Sequence, residues 1–367
     1  MKTSHKIVLS NSSDMNEVSD ASVDLMITSP PYPMIEMWDE IFGKQNSSIG
    51  QALEKENGNL AFELMHKELD KTWSEVYRVL RDGGFACINI GNATRKIGDE
   101  FKLYSNHSRI LEYCIGLGFS SLPEILWRKQ TNAPNKFMGS GMLPAGAYVT
   151  LEHEHILILR KGNKRLFKTN QEKLRRKKSA FFWEERNIWF SDVWDDLKGT
   201  RQTGLDKKIR ERSGAYPFEL SYRLINMLSL KGDTILDPFL GTGTTTYSAM
   251  ATARNSIGFE IDPNLQEHFN AKFQDVVDFS NEIIKKRLDN HLRFVQERVK
   301  KKGALGYTSK IYGFPVMTNQ ETEIEFDELK KINFKDYIIE VEYQDSPSGT
   351  FINEEIRKGK TLKNWIS

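Results

Sequence analysis

Four consecutive residues, Ser29-Pro30-Pro31-Tyr32, place two hydrogen-bond acceptors and an aromatic ring in one short stretch. The prolines fix φ and lack an N–H, so the Pro30 carbonyl can be held outward as a rigid acceptor beside the Ser29 hydroxyl. Two fixed acceptors can hold both hydrogens of an exocyclic amino group and turn its nitrogen lone pair toward an electrophilic methyl group. The Tyr32 ring offers a face for stacking, which contributes about 1–3 kcal/mol per base. The tetrapeptide therefore predicts methyl transfer to the amino group of a flipped base; a proline turn after an edge strand is the alternative.

A second motif runs from Asp237 to Thr245, between a predicted strand and a predicted helix. Gly241 and Gly243 let the backbone pass close to a ligand, and the helix that follows presents free N–H groups. Glu260, at the end of the next strand, can accept hydrogen bonds from both hydroxyls of a ribose. The spacing fits neither the dinucleotide fingerprint nor a phosphate loop, so it favours a nucleoside such as S-adenosylmethionine (SAM). A glycine turn without a ligand is the alternative.

The elements that must position these motifs alternate between strands and helices over the first two thirds of the chain. Such alternation predicts a mostly parallel sheet flanked by helices, with ligands bound beyond the carboxyl ends of the strands. The predicted strands are 7–9, 23–28, 85–90, 124–128, 155–159, 234–236, 256–260 and 337–341. The predicted helices are 60–80, 109–117, 217–230, one that ends at 253, and a charged helix that extends to about residue 302.

The order of the two motifs resembles that of a known family, the amino-group DNA methyltransferases of restriction–modification type in the β arrangement. In that arrangement the Ser/Asp-Pro-Pro-Tyr motif comes first and the SAM motif comes late, as Thr28–Tyr32 and Asp237–Gly243 do here. Ser22–Ile27, Trp73–Gly84 and Ala215–Leu220 are also similar to family stretches, and the resemblance covers residues 6 to about 265. It implies an α/β fold: a Rossmann-like SAM-dependent methyltransferase sheet with an inserted target-recognition region and a C-terminal α/β extension.

The resemblance also implies how SAM is bound. The expected SAM-binding residues are Asn11, Thr28, Pro217, Phe218, Asp237, Pro238, Phe239, Gly241, Gly243, Thr244, Thr245 and Glu260. The family usually has Gly-Asp near Leu9, with the carboxylate approaching the adenine of SAM, whereas this chain has Ser10 to Asp14. Asn11 or Asp14 is then the source of that contact.

Serine at the first position of the catalytic motif resembles the N4-cytosine enzymes, whereas aspartate is more usual in N6-adenine enzymes. The resemblance thus implies transfer to N4 of a flipped cytosine in a short site, which protects DNA from a partner restriction endonuclease. The stretch Thr28–Trp38 resembles enzymes that act on palindromes such as CTAG. The alternatives are N6-adenine methylation, methylation of RNA or a small molecule, and a DNA-binding relative without activity. Neither Cys87 nor Cys114 follows a proline, so the nucleophile motif of C5-cytosine methyltransferases is absent.

A basic stretch lies where the family carries its target-recognition region. Residues 161–178 contain nine lysines and arginines against one acid, and such side chains bind phosphates and position a protein on DNA. The predicted DNA contacts are Lys136, Arg165, Arg175, Arg176, Lys177 and Lys178. Six aromatic residues follow: Phe181, Phe182, Trp183, Trp189, Phe190 and Trp194. A solvated surface loop is the alternative interpretation of the charge run.

These patterns divide the chain into four segments. Residues 1–162 form the catalytic part of the methyltransferase domain, and 213–265 form its SAM-binding part. Residues 163–212 are the target-recognition region, together with the loop 131–148. Residues 266–367 form a helical and mixed extension.

The composition limits the remaining possibilities. A 367-residue chain with 39% hydrophobic residues and a net charge of +2 predicts a soluble globular protein. Two cysteines exclude a disulfide framework and a four-cysteine zinc site. No apolar run has the length of a membrane span, and no signal peptide is evident at the N-terminus, so we expect a cytoplasmic protein. The run His153-Glu154-His155 is interpreted as a strand end and not as a metal site. The expected partners are double-stranded DNA and, functionally, a restriction endonuclease, with a monomer or homodimer as the assembly.

Overall fold

The structure is a computed structural model that describes residues 1–129, 138–198, 216–265, 269 and 273–345. The described strands are β1 (Lys2–Leu9), β2 (Val23–Thr28), β3 (Leu80–Ile90), β4 (Ala93–Ile97), β5 (Glu100–Tyr104), β6 (Phe119–Arg128), β7 (Met138–Gly139), β8 (Ala147–Tyr148), β9 (His153–Lys161), β10 (Val193–Trp194), β11 (Thr234–Asp237), β12 (Asn255–Glu260), β13 (Tyr307–Thr308), β14 (Pro315–Val316), β15 (Leu329–Lys335) and β16 (Ile338–Tyr343). The described α-helices are α1 (Asp39–Gln45), α2 (Ser47–Glu54), α3 (Gly58–Val79), α4 (Asn106–Leu117), α5 (Asn170–Lys178), α6 (Trp183–Trp189), α7 (Phe218–Leu228), α8 (Thr244–Met250) and α9 (Val276–Lys302). Within these ranges, no helix has both the length and the apolar character to cross a bilayer.

Ten strands form one sheet in the order β10-β6-β9-β3-β2-β11-β12-β1-β16-β15. The central strands β3, β2, β11, β12 and β1 are all parallel. Every residue of β2 is buried, which is typical of a parallel strand covered on both faces. Antiparallel pairing adds β9 and β6 on one side and β16 and β15 on the other. The predicted α/β sheet is therefore confirmed.

Helices cover both faces of the sheet, and the alternation of side chains along β2 shows how. Met26 packs in one core cluster with residues of α3 such as Trp73. Leu25 and Ile27 pack in a second cluster with α7 residues such as Leu224. Successive strand residues face opposite sides of a sheet, so a run of apolar residues can anchor a helix layer on each face.

The helix boundaries follow from local signals. α3 begins after Asn57, whose side-chain oxygen accepts a hydrogen bond from the backbone N–H of Leu60, as expected of a helix N-cap. α4 ends at Gly118, which has a φ of 106°, a conformation that glycine adopts without strain. Both helices lie within three residues of their predicted limits because the apolar spacing and the caps agree.

The two edges of the parallel part of the sheet differ in which strand ends they carry. The carboxyl edge, where the parallel strands end, includes Thr28, Asp237 and Glu260. The antiparallel strand β9 begins at this edge, because His155 pairs with Ile90 at the end of β3. The opposite side, where the parallel strands begin, is the amino edge.

The C-terminal segment is joined to the sheet, because β16 pairs with β1. The region 163–198 packs on it: Phe182 lies in a small core with Phe314 and Phe326. Arg287 in α9 pairs with Glu185 in α6 at 2.6 Å. Thus the predicted recognition region and the predicted C-terminal extension share a core, and neither packs as a separate unit in the described residues.

Candidate active site

The tetrapeptide Ser29–Tyr32 follows β2 at the carboxyl edge and enters a chain of hydrogen bonds. The Ser29 hydroxyl donates to the Tyr32 hydroxyl at 3.1 Å, and the Tyr32 hydroxyl donates to Glu154 Oε2 at 3.0 Å. Asn89 Nδ2 donates to the Tyr32 hydroxyl at 3.0 Å and to Glu154 Oε2 at 2.7 Å. Lys129 Nζ donates to Glu154 Oε1 at 2.8 Å. A continuous path of hydrogen bonds therefore leads from Ser29, the predicted catalytic serine, to the carboxylate of Glu154 on β9.

The Tyr32 ring is held by its surroundings and keeps its proton. A Cβ placed on Gly91 would lie 2.9 Å from Tyr32 Cε2, so the ring approaches the backbone as closely as glycine allows. Burial, and next the charge of Glu154, raise the pKa of the Tyr32 hydroxyl well above its usual value. The ring is only half-buried, which leaves part of its surface for stacking against a base.

Asp237 joins the catalytic strand to the glycine motif. Its Oδ1 accepts hydrogen bonds from Thr28 Oγ1 at 2.6 Å and from the backbone N–H of Phe239 at 3.1 Å. Its Oδ2 accepts from Thr245 Oγ1, whose hydroxyl also meets that of the buried Tyr216. Burial raises the pKa of Asp237. Three predicted SAM contacts, Thr28, Asp237 and Thr245, thus bind one another.

The two glycines of the motif have different surroundings. Both have positive φ, 53° at Gly241 and 77° at Gly243. A Cβ on Gly243 would lie 2.9 Å from Phe273 Cζ, so this glycine permits packing against an aromatic ring. A Cβ on Gly241 would meet nothing nearer than the Phe239 carbonyl at 3.9 Å. Gly241 is therefore the position where the backbone is open to a ligand.

Glu260 supports the same loop from the neighbouring strand. Its Oε2 accepts from the backbone N–H of Gly241 at 2.8 Å, and its Oε1 accepts from those of Ile261 and Asp262, each at 2.9 Å. Burial raises the pKa of Glu260 to about 6. A carboxylate has about four acceptor positions, so one position is left for a ribose hydroxyl.

Two more predicted SAM contacts lie beside this loop. Asn11 follows β1, whose last residue Leu9 pairs with Glu260, and its side-chain oxygen accepts from the Ser13 N–H at 2.9 Å. Phe239 is partly buried, with its ring edge-to-face on Trp73 at 6.0 Å between centroids. Their contacts with SAM stay predictions.

The remaining predicted SAM contacts are more enclosed. Pro238 is buried in the turn, and Thr244 is buried at the start of α8. Pro217 precedes α7 and is also buried. Phe218 packs edge-to-face on Tyr247 at 5.9 Å between ring centroids. Each of these residues supports the loop region, and their contacts with SAM stay predictions.

Arg165 and Arg175 do not lie at the carboxyl edge. Arg165 Nη1 lies 3.1 Å from Asp24 Oδ1 and 2.7 Å from Asp233 Oδ2, and Arg175 Nη2 lies 2.6 Å from Asp233 Oδ1. Asp24 and Asp233 are buried at the amino edge, where β2 and β11 begin. Burial, and next the charge of Asp233, raise the pKa of Asp24 to about 6. The two arginines neutralise buried carboxylates, and their contact with DNA stays a prediction.

The other predicted DNA contacts differ in whether their side chains have partners within the protein. Lys178 pairs with Glu325 at 2.6 Å, and Arg176 lies over the Phe167 ring at 4.8 Å. Lys177 is exposed on the same helix α5. Lys136 lies outside the described residues. Of the six aromatic residues that follow the basic run, Phe182, Trp189 and Trp194 are buried in the protein.

Sequence reasoning missed Asn89, Lys129 and Glu154. Asn89 carried a signal, because it is a polar residue within an apolar run that predicts a buried strand. Glu154 alternates with His153 and His155 along β9 and faces Tyr32, whereas His155 stacks on His107 with 3.8 Å between ring centroids. Burial lowers the pKa of both His107 and His155. Within the ranges described above, no group of three His, Cys, Asp or Glu residues could hold a metal ion.

Comparison with known proteins agrees with this geometry. Residues 23–271 match the family described as DNA methylase. The type II methyltransferase M.MthZI of Methanothermobacter thermautotrophicus is 52% identical over 325 residues, which cover 88% of this chain and 90% of that protein. The type II methyltransferase M.MjaI of Methanocaldococcus jannaschii is 50% identical over 275 residues, 72% of this chain and 89% of that protein.

Solved structures show the same fold. A protein of Thermus thermophilus assigned as a DNA modification methylase, solved in complex with SAM, has a TM-score of 0.58 at 29% identity. The match covers 74% of this chain and 96% of that chain. The cytosine-N4-specific PvuII DNA methyltransferase matches with a TM-score of 0.51 at 17% identity, over 77% of this chain and 94% of that chain, and this likeness concerns the fold alone.

Proposed function

The chain belongs to the DNA methylase family, as a SAM-dependent methyltransferase of restriction–modification type in the β arrangement, and on that premise we propose that it methylates N4 of cytosine. The observation that carries this choice of base is Ser29, which stands where the N6-adenine enzymes more usually have aspartate. The chain places that serine at the end of β2, beside the glycine motif. The resemblance of residues 28–38 further favours a short palindromic site such as CTAG.

The roles of the residues follow from their positions. The Ser29 hydroxyl and the Pro30 carbonyl accept the two hydrogens of the amino group, and the Tyr32 ring stacks on the base. Gly241 and Glu260 lie on the cofactor side, where the backbone is open and a carboxylate can accept from a ribose. SAM supplies an electrophilic methyl group on a sulfonium centre when it is bound. These residues therefore act by orientation of the amino group more than by acid–base chemistry.

Double-stranded DNA then approaches the carboxyl edge, because the flipped base must reach Ser29. The hairpin of β4 and β5 lies next to this site, since β4 begins three residues after Ile90. Lys129 and the segment that contains β7 and β8 precede β9 in the chain. Lys129 contacts the site through its hydrogen bond to Glu154 on β9. A partner restriction endonuclease and a monomeric or homodimeric assembly remain expectations of the proposal, whereas DNA contacts at α5, which the charge run predicts, are not part of it.

Methylation of DNA by the purified protein tests the choice of base. DNA incubated with SAM and the protein should yield N4-methylcytosine when it is digested to nucleosides and analysed by mass. The Ser29→Ala variant is the control and should yield little product at unchanged SAM affinity. N6-methyladenine as the sole product would refute the choice of cytosine and keep the amino-group mechanism. Sequencing of the methylated positions would reveal whether they lie in CTAG.

A further inference from the structure

The hydroxyl of Ser29 can serve the reaction in one orientation and oppose it in another. A serine hydroxyl both donates and accepts hydrogen bonds. As an acceptor, Ser29 binds a hydrogen of the target amino group and leaves the nitrogen lone pair free. As a donor, it would hydrogen-bond to that lone pair, which is the electron pair that must attack the methyl group. The direction of the Ser29 proton therefore matters for catalysis.

The hydrogen bonds around Tyr32 fix that direction. The carboxylate of Glu154 has only acceptors, so the proton of the Tyr32 hydroxyl points to Glu154 Oε2 at 3.0 Å. The tyrosine oxygen can then only accept, and it does so from Asn89 at 3.0 Å and from Ser29 at 3.1 Å. Because the Ser29 proton is directed at Tyr32, the outward side of the serine oxygen presents lone pairs.

We propose that Glu154 is a positioning residue that sets the hydrogen-bond polarity of Ser29, so that the serine accepts from the target amino group. The inference rests on the proposed function, namely transfer to an exocyclic amino group at Ser29. Glu154 itself does not reach the base, since Tyr32 lies between it and the serine. Its effect passes through two hydroxyl groups.

Two neighbours make this assignment unambiguous. Lys129 Nζ occupies the other oxygen of Glu154 at 2.8 Å, so Oε2 is left to Tyr32 and Asn89. Burial raises the pKa of Tyr32, and the phenol therefore has the proton that the chain of hydrogen bonds requires. Asn89 Nδ2 donates to both Tyr32 and Glu154, which excludes a reversed chain in which Tyr32 donates to Asn89 Nδ2.

The first experiment measures turnover of DNA methylation in Glu154→Gln. A glutamine side chain can present either a donor or an acceptor to Tyr32, so the serine proton is no longer directed. We expect kcat to fall about 10- to 100-fold, the range of one hydrogen bond to a charged group, with unchanged affinity for SAM. Glu152→Gln is the matched control, because Glu152 lies two residues away and pairs with the exposed Arg128; it should leave kcat unchanged. A Glu154→Gln enzyme with wild-type kcat would overturn the proposal.

A double-mutant cycle distinguishes polarity from simple support of the ring. Tyr32→Phe removes the hydroxyl through which Glu154 acts, so Glu154→Gln should cause no further loss of kcat in that background. If Glu154 only supported the local structure through Lys129 and Asn89, the two losses would multiply. Multiplied losses would therefore contradict the proposal.

Replacement of Ser29 by a residue without a hydrogen-bond donor should remove the dependence of kcat on Glu154. In Ser29→Asp the side chain has only acceptors, so no proton needs to be directed. Glu154→Gln should then be harmless to kcat in that background, and an undiminished loss would overturn the proposal. Nucleoside mass analysis of each product identifies the methylated base separately, so N6-methyladenine would refute the choice of cytosine without affecting the test of Glu154.

Discussion

The two ends of β11 carry an aspartate each, and the two carboxylates differ in their partners. Asp233, just before the strand at the amino edge, is paired with the guanidinium groups of Arg165 and Arg175. Asp237, at the carboxyl edge, accepts from the hydroxyl groups of Thr28 and Thr245 and from one backbone N–H. Both carboxylates are buried. One edge therefore neutralises its charge with cations, whereas the other uses neutral donors.

This difference indicates what each edge can do. At the amino edge the cations are committed to internal carboxylates, and moving them to a phosphate would leave a buried charge without a partner. At the carboxyl edge Asp237 and Glu260 are stabilised by neutral groups, so no cation cancels their negative charge, and on the proposed function this charge attracts the positive sulfonium of SAM. The kind of partner, more than the number of charges, separates the structural edge from the reactive one.

The largest expected effect is on folding at the amino edge. Asp233→Ala should lower the free energy of unfolding by about 3 kcal/mol, because a buried ion pair loses one member. SAM affinity should remain unchanged at a temperature where the variant is folded. Asp237→Ala is the matched variant, and it should lose both stability and SAM affinity. Denaturant titration and calorimetry measure the two quantities, and a folded Asp233→Ala protein that no longer binds SAM would remove the distinction between the edges.

The next effect concerns the base stacked at the carboxyl edge. Tyr32→Ala should lower kcat by at least about 100-fold, because it removes both roughly 1–3 kcal/mol of stacking and the hydroxyl that directs the Ser29 proton, with little change in SAM affinity. Tyr32→Phe should lose less, since the ring remains. Single-turnover methylation measures both variants. Equal losses would mean that the ring face does not contribute.

A smaller effect should separate the two glycines. Alanine at either position costs about 1–2 kcal/mol of backbone strain, because both have positive φ. Gly243→Ala should lose additional stability, since its Cβ meets Phe273 at 2.9 Å. Gly241→Ala should lose only the strain energy of its positive φ, because its Cβ meets nothing nearer than 3.9 Å, but it should bind SAM more weakly. Melting temperatures with and without SAM give the comparison, and wild-type SAM affinity in Gly241→Ala would place the ligand elsewhere.

SAM affinity should depend on pH through Glu260, whose pKa burial raises to about 6. Above pH 6 the ionised carboxylate accepts from the ribose, and below pH 6 protonation should weaken SAM binding, up to about tenfold per pH unit. A raised pKa favours the folded chain at low pH, so unfolding through this group cannot explain the weaker binding. Calorimetry between pH 5 and 8 tests this, and Glu260→Gln should show no such dependence.

The smallest expected effect is on DNA binding at the amino edge. The double variant Arg176→Ala, Lys177→Ala should leave the salt dependence of DNA affinity unchanged, because α5 lies away from the carboxyl edge. Were both residues phosphate contacts, the slope of log affinity against log salt would decrease by about 0.9 for each. Such a decrease would support the DNA-binding role predicted from the charge run.

The sequence patterns predicted some parts of this molecule well, and the reasons are local. β2 spans Val23–Thr28 as predicted, because six residues with buried side chains are bounded by turns. The hairpin of β4 and β5 was not predicted, since β4 contains three polar residues in a row, Thr94 to Lys96, and neither strand has a buried apolar run. Spacing along the chain reports one strand or helix at a time and does not identify its partner.

The same limit explains the outcome at the candidate site. The tetrapeptide Ser29–Tyr32 and the glycine motif were recognisable because each is contiguous. Glu154 was not, because its partner Tyr32 lies in the loop after β2, 122 residues away in the sequence. The basic run near Arg165 and Arg175 predicts a phosphate-binding surface, but composition does not reveal that both arginines pair with Asp233 within the protein.

The position of β1 has a consequence for how the chain is made. His5 in β1 pairs with Ser256 on one side and with Ile339 on the other, so this strand has only partners that are synthesised much later. At a synthesis rate of about 5–20 residues per second, β1 waits about 12–50 s for its first neighbour to emerge. During this interval its unpaired backbone is open to other strands, which is a recognised route to aggregation. The protein's yield in a cell should therefore depend on the speed of translation and on the chaperones that bind early chains.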